Sequence, residues 1–317
     1  MAKAFASFLI GDSYRDHLLC LQTRLEAVRS SFPLLVLHDD RQPAHMLSQL
    51  SNPISLSALV GMQPRAYRTR TTGRRLLQEG QASNASHFKL FAWRLLNYSR
   101  IALLDADLYV VRNIDALLSL DVRQGRLSIA AVPVNHPKCR NTGYFNSGVL
   151  VLKPSRLSSA RLMSLDLCLA GVQPDAFCKG VAAHDQKRRF ACEGRQFSDQ
   201  SLLNMAFKDD WLHLNDTYNQ PVHASTMGLH QTDFMQPGGS RAAVLHVVGE
   251  PKPRSMCAVA RFYANLARKA ASPWAPTSVI RTQKRNEKRE REGSALLSEQ
   301  LERASSNALE SRDSVSS

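Results

Sequence analysis

The sequence predicts an α/β domain with a mostly parallel central sheet flanked by helices. Three observations carry the prediction. The first is a strand–helix–strand opening: an apolar run at Ala4–Ile10, then Leu18, Leu21, Leu25 and Val28 at helical spacing, then a second apolar run at Pro33–Leu37. The second is that apolar runs end in polar clusters, His38-Asp39-Asp40 and Asp105-Ala106-Asp107. Strands do this where they deliver side chains to one edge of a sheet. The third is size: 317 residues, 44% of them hydrophobic, suffice for one large domain with a full core, or for two small ones.

The remaining elements follow in chain order. Gly11-Asp12-Ser13 reads as a turn and helix start. Over residues 41–82, Pro43, Pro53, Pro64 and Gly73 interrupt any period, and Arg65, Arg68, Arg70, Arg74 and Arg75 make the stretch basic. Ser86 to Tyr98 reads as a helix with Phe88, Phe91, Ala92, Leu95 and Leu96 on its apolar face. It feeds a buried strand, Ile101–Leu104, and Leu108–Val111 follows the acids. Asn113-Ile114-Asp115 caps a short helix, and Ser128–Val132 and Phe145–Leu152 are further strands. Arg156 to Leu169 is helical, and 170–197 reads as a polar, cysteine-bearing insertion. Ser198 or Asp199 caps a helix running to about Phe207, and Ala243–Val248 is the last strand. The domain is expected to end near residue 271. Residues 272–317 are rich in Arg, Glu and Ser, with a thin apolar stripe at Leu296, Leu297 and Leu301. They read as a solvated, partly helical tail.

The formal net charge is +14. The tail nearly balances its own charges, so the excess sits in the folded part, where it attracts phosphates, acidic polymers or anionic membranes. No helix-turn-helix, zinc-finger spacing or ribonucleoprotein motif is present, so no specific nucleic-acid partner is expected. The absence of a Gly-x-Gly-x-x-Gly turn and of a Walker loop argues against a nicotinamide dehydrogenase and a P-loop kinase. The six cysteines form no Cys-x-x-Cys pair, and reduced thiols are the expectation. Cys168, Cys178 and Cys192, with His184, are too irregularly spaced for zinc. Met1-Ala2-Lys3 leads straight into a short strand with no cleavage pattern, and no segment reads as a membrane span. The expected location is therefore the cytoplasm, with a Golgi lumen only if the chain is a fragment. Asn-x-Ser/Thr sequons stand at Asn84, Asn97 and Asn215, and they matter only in a lumenal protein.

The chemistry centres on Asp105-Ala106-Asp107. Two carboxylates at a strand end are hard oxygen ligands for Mg²⁺ or Mn²⁺, ions that share sites with phosphates. Alone, the pair reads equally well as solvated acids. Four other segments carry matching chemistry. Lys89 precedes the acidic strand and could reach a phosphate or hold an acid. In Phe145-Asn146-Ser147-Gly148, Asn and Ser suit sugar hydroxyls and Gly allows close backbone approach. Asp199-Gln200 at a helix start offers a carboxylate and an amide to a reacting carbon. His246, at a strand end, could complete an Asp, Asp, His metal site, and Lys252 could neutralise a diphosphate.

In this order the segments resemble glycosyltransferase family 8, the glycogenin-like branch, over residues 4 to about 253. Lys89-Leu90, Trp93 and Tyr98-Ser99-Arg100 lead into the acids, and Val111-Arg112-Asn113-Ile114-Asp115 continues from them. Phe145-Asn146-Ser147-Gly148 with Lys153-Pro154-Ser155, Asp199-Gln200-Ser201-Leu202-Leu203-Asn204, and His246, Gly249 and Lys252-Pro253 complete the set. The resemblance implies a single Rossmann-like domain of the GT-A type. It implies a retaining transferase that moves a hexosyl group, with glucose as the first expectation, from a UDP-sugar to a hydroxyl acceptor: a glycan, polyol, lipid or protein. It implies Mn²⁺, with Mg²⁺ as the alternative, held by Asp105, Asp107 and His246. Phe8, Leu9, Gly11, Tyr14, Lys89, Ala106, Gly249 and Lys252 would bind the nucleotide. Asn146 and Ser147 would bind the sugar, and Asp199 and Gln200 would bind it and act at its reacting centre. A homodimer is compatible with the family.

The chain departs from that pattern at Arg254, where Trp is usual, and at Gln196, where glycogenin has an acid. No Tyr lies between Tyr218 and Tyr263, where glycogenin carries the tyrosine it glucosylates, so self-glucosylation is not expected. Two other readings compete. One is a basic UDP-sugar-binding or interaction protein that has the fold without turnover. The other is a haloacid-dehalogenase-type phosphatase. That motif wants Thr or Val two residues after its second acid, where this chain has Tyr109.

Overall fold

The structure is a computed structural model that describes residues 2–10, 14–40, 42–60, 86–122, 128–134, 139, 143–169, 198–208, 210–223, 242–248 and 257. All of them fall within the first of two compact units, residues 1–260. The 170–197 insertion and the charged tail lie outside the described residues, as do Gly11, Gly249 and Lys252.

Seven strands form the main sheet: β1 (Ala2–Leu9), β2 (Leu34–His38), β3 (Pro53–Ser55), β4 (Tyr98–Leu104), β6 (Ile129–Pro133), β7 (Phe145–Leu152) and β8 (Trp211–His213). Their spatial order is β3-β2-β1-β4-β7-β6-β8, and only β7 runs against the others. A smaller sheet of β5 (Leu108–Val110), β10 (Val244–Val248) and β9 (Gln220–His223) has β10 at its centre. The mostly parallel α/β sheet read from the sequence is thus present.

The core follows from strand alternation. In β4, Ile101 and Leu103 join one apolar cluster while Ala102 and Leu104 join the other. The first cluster receives the segment Ser86–Arg94 together with α4 (Arg156–Leu169) and α5 (Asp199–Ala206). The second receives α1 (Arg15–Ala27) through Leu18, Leu21 and Leu25, and the short helices α2 (Ala44–Leu47) and α3 (Leu56–Val60) stand before and after β3 in the chain. Both faces are covered, which is why the central strands read as continuous apolar runs and not as alternating ones.

Several boundaries match the sequence reading. β7 and α4 coincide with it, and Ser198 is the N-cap of α5, its hydroxyl accepting from the Ser201 amide in a capping box. The N-cap of the helical turn Asp115–Ser119 is Ile114, without a side-chain bond, and Asn113 Oδ1 accepts from the Asp115 amide at 2.9 Å. Asn113 Nδ2 donates to the carbonyls of Val28 and Arg29 beyond the end of α1, and Asp115 accepts from Ser30 and Ser31.

Three readings change. Ser86–Arg94 is a 3₁₀ helix, not an α-helix. Phe88, Leu90, Phe91, Ala92 and Trp93 are all buried, so its apolar residues cover most of its circumference and not one 3.6-period face. β3, β8 and β9 are too short, at three or four residues, to stand out by period. Reduced thiols do not hold for Cys20 and Cys257, which form a disulfide with Cα atoms 5.4 Å apart, or for Cys139, which is also disulfide-bonded. The cause is tertiary: α1 and the segment after β10 meet in one small apolar cluster that includes both Cys20 and Cys257. Among the described residues no helix is long and apolar enough to cross a membrane.

Candidate active site

Asp105 and Asp107 sit where the two sheets part. β4 ends at Leu104, and the Leu108 amide closes a tight turn onto the Asp105 carbonyl at 3.3 Å. β5 then pairs antiparallel with β10, setting Leu108 opposite His246. Antiparallel pairing of β4 with β7 brings the Asp105 amide to the Gly148 carbonyl at 2.9 Å. One ligand atom from each of Asp105, Asp107 and His246 therefore falls within 4.8 Å of the others.

A second group adjoins this one. Lys89 Nζ lies 2.6 Å from Asp105 Oδ1 and 2.7 Å from Asp199 Oδ2. Ser147 Oγ donates to that same Asp199 oxygen at 2.8 Å. Lys89, Asp107, Ser147, Asp199 and His246 are all buried. Burial alone would lower the Lys89 pKa, but Asp105 and Asp199 outweigh it and hold the ammonium above its usual range. Burial pushes the Asp105 carboxyl up, Lys89 pulls it down, and Asp107 and Asp199 push it up again; the net shift is upward.

The donor set fits a divalent cation. Three carboxylates against one ammonium leave an excess of two negative formal charges in a buried site, the charge of one such ion. Two carboxylates and an imidazole are N/O donors of the kind that hold divalent ions.

The helix start is fixed by backbone partners. Gln200 Oε1 accepts from the Ser147 amide at 3.0 Å. Asn204 reads the Phe145 backbone in both directions: Oδ1 accepts from its amide at 2.9 Å and Nδ2 donates to its carbonyl at 2.8 Å. This pairing ties α5 to β7, and it sets Asp199 against Lys89. Gly148 has a steric reason: a Cβ there would stand 2.6 Å from His246 Cε1. Asn146 Oδ1 accepts from the Gly148 amide at 2.8 Å and from Asn219 Nδ2 at 2.6 Å.

Of the other residues read from the sequence, Phe8 is partly buried and packed against the first core cluster, while Leu9 is fully buried in the second. Tyr14 precedes α1, its ring 5.6 Å from that of His17, and Ala106 is half-buried between the two acids. Asn204 and Asn219 were not assigned roles from the sequence. Asn204 lies within the quoted Asp-Gln segment, so its spacing gave a signal. Asn219 lies in an irregular stretch between short strands, where no periodicity could have marked it.

Residues 22–167 match the model of glycosyl transferase family 8. Human glycogenin-2 is 32% identical over 172 residues, covering 52% of this chain and 27% of its own length. GlyF, a glycosyltransferase of Streptococcus pneumoniae serotype 4, is 27% identical over 178 residues, or 56% of this chain and 39% of its own. Mouse glycogenin-1 is 25% identical and spans 79% of this chain and 65% of its own. In all three the chain spans less than two thirds of the relative. The fold is shared with the galactosyltransferase LgtC, solved in complex with donor and acceptor sugar analogs, at a TM-score of 0.50 and 18% identity over 87% of this chain and 98% of that one. The matched segment contains Lys89, both acids and Asn146–Gly148, while Asp199 and His246 lie beyond it.

The ion-pair geometry makes a testable statement about stability. Lys89→Met leaves the buried Asp199 and the half-buried Asp105 without their shared cation, and it is expected to cost about 3–5 kcal/mol in urea denaturation. Lys89 holds its proton more tightly folded than unfolded, so its contribution is complete at neutral pH. It is lost only as pH rises beyond the ordinary lysine range, roughly pH 10.4 and above. A cost under about 1 kcal/mol, the size of an exposed pair, would contradict the buried assignment.

Proposed function

We propose that the chain is a metal-dependent retaining glycosyltransferase that moves a hexosyl group, glucose first among the candidates, from a UDP-sugar to a hydroxyl acceptor. The observation that carries this is the meeting of Asp105, Asp107 and His246 beside the Lys89–Asp199–Ser147 cluster at one sheet edge. Open α/β sheets bind ligands at the carboxyl ends of their strands, and Asp105 follows such an end.

A divalent ion held by Asp105, Asp107 and His246 would supply positive charge to the diphosphate as it leaves. The chain's own groups do the rest. Lys89 holds Asp105 and Asp199 in fixed relation, so the metal-side carboxylate and the sugar-side carboxylate form one unit. Asp199 places negative charge where an oxocarbenium-like sugar carbon develops positive charge. Its Oδ2 is oriented by Lys89 and Ser147, so little reorganisation is needed at that moment. The Ser147 amide fixes the oxygen end of Gln200. Retention, the UDP donor and the contacts of Phe8, Tyr14 and Lys252 come from the family resemblance.

The test is UDP release with a panel of UDP-sugars and Mn²⁺. Turnover should require the ion, and Asp107→Asn should reduce it by about 10²-fold or more with an unchanged melting transition. No release from any UDP-sugar, or full activity in Asp107→Asn, would defeat the proposal.

A further inference from the structure

We infer that Asn146 and Asn219 are positioning residues that set the tautomer of His246, so that its Nε2 lone pair is presented to a cation. The inference deepens the proposed metal site and rests on that reading. A backbone amide can only donate, so the Gly148 N–H at 2.8 Å fixes the near end of the Asn146 side chain as oxygen. That same oxygen lies 2.6 Å from the Asn219 side chain, which must therefore turn its NH₂ towards it. The Asn219 oxygen is then left facing His246 Nδ1 at 2.9 Å. An oxygen can only accept, so Nδ1 carries a proton. In the neutral ring Nε2 is then unprotonated.

That nitrogen faces the Asp107 carboxylate, its Nε2 3.5 Å from Asp107 Oδ1. Two electron-rich atoms at this separation repel unless positive charge lies between them. The polarity passed from one amide through two asparagines thus ends in a pair of atoms arranged for a cation. Asn219 and His246 are buried, so water does not compete freely for these bonds. Gly148 closes the arrangement from the other side: a Cβ there would come within 2.7 Å of His246 Nδ1 and 2.9 Å of Asn146 Oδ1. Partners of this kind behind a ligating histidine commonly change metal affinity by about 10–100-fold.

The experiment uses the metal-free full chain labelled with ¹⁵N. Long-range proton–nitrogen spectra distinguish the two neutral tautomers, and His246 is identified by its absence from the His246→Gln spectrum. Wild type should show a protonated Nδ1. Asn219→Leu should shift the ring towards the Nε2–H form and weaken Mn²⁺ binding, read by electron paramagnetic resonance of the free ion, by about 10-fold or more. Asn219→Asp keeps an acceptor for Nδ1–H and should keep that proton in place. It also provides the reading if the leucine variant does not fold. An unprotonated Nδ1 in wild type, or a tautomer unmoved in Asn219→Leu, overturns the inference even if Mn²⁺ binds and turnover is normal. Conversely, an Asn219-dependent tautomer supports it even if UDP-sugar turnover is absent, so the two readings fail separately.

A different observation carries a second proposal. We infer that this domain matures in an oxidising compartment and bears an N-linked glycan at Asn97, at Asn215 or at both. The Cys20–Cys257 and Cys139 disulfides are of the kind that persist outside the reducing cytosol. Both asparagines head sequons and are exposed. Asn97 sits in the turn that the Tyr98 amide closes onto the Leu95 carbonyl at 3.0 Å. It lies at the opposite end of β4 from Asp105, roughly 25 Å away along an extended strand. Asn215 accepts from the Thr217 amide through Oδ1 at 3.0 Å. That bond leaves its amide nitrogen, the atom a glycan is joined to, out of the turn. Peptide mass spectrometry of the protein isolated from its source cells tests this. A glycosidase-sensitive glycan at either residue, with a linked Cys20–Cys257 peptide, supports it. Unmodified Asn at both positions, or free thiols at Cys20 and Cys257, overturns it.

Discussion

The site depends on one buried ammonium held between two carboxylates. Lys89 comes from the 3₁₀ segment on one face of the sheet, Asp105 from the end of β4, and Asp199 from the start of α5. Three parts of the chain thus converge on a single charge. Burying that charge is unfavourable unless it is paired, and the pair is favourable only if all three elements dock in register. The same contact that closes the core therefore sets the distance between Asp105 and Asp199, the groups proposed to face the metal and the sugar.

The long 3₁₀ segment makes sense in this light. Such helices have poorer hydrogen-bond geometry than α-helices and are seldom sustained. Here the turns carry Phe88, Leu90, Phe91 and Trp93 into the core on either side of a Lys89 that reaches the sheet edge. Apolar burial on most sides offsets the weaker backbone geometry, and Trp93 stacks on Phe207 at the far end of α5. Packing and electrostatics therefore join this segment to α5 at two separate places.

Much of this was legible in the sequence. The acids at the end of Ile101–Leu104 and the helix start at Ser198 could be placed because period and capping are local properties. The convergence of Lys89, Asp199 and His246 could not be derived that way, because it depends on β7 pairing with β4 and on β10 pairing with β5. Only the resemblance of ordered motifs suggested it. Asn219 stayed invisible, since its role rests on two side-chain bonds, across 27 and 73 residues. The disulfide was missed for a similar reason: Cys20 and Cys257 are 237 residues apart, and no spacing rule links them. The 3₁₀ geometry of Ser86–Arg94 was missed because a segment buried on most sides has no clear period.

The central claim is that Asp105, Asp107 and His246 form one cation site. The direct measurement is diffraction from crystals soaked in Mn²⁺, recorded on both sides of the manganese absorption edge. A single anomalous peak within bonding distance of a carboxylate oxygen of each aspartate and of His246 Nε2 is the predicted result. No peak there, or a peak bound through other residues, would contradict it.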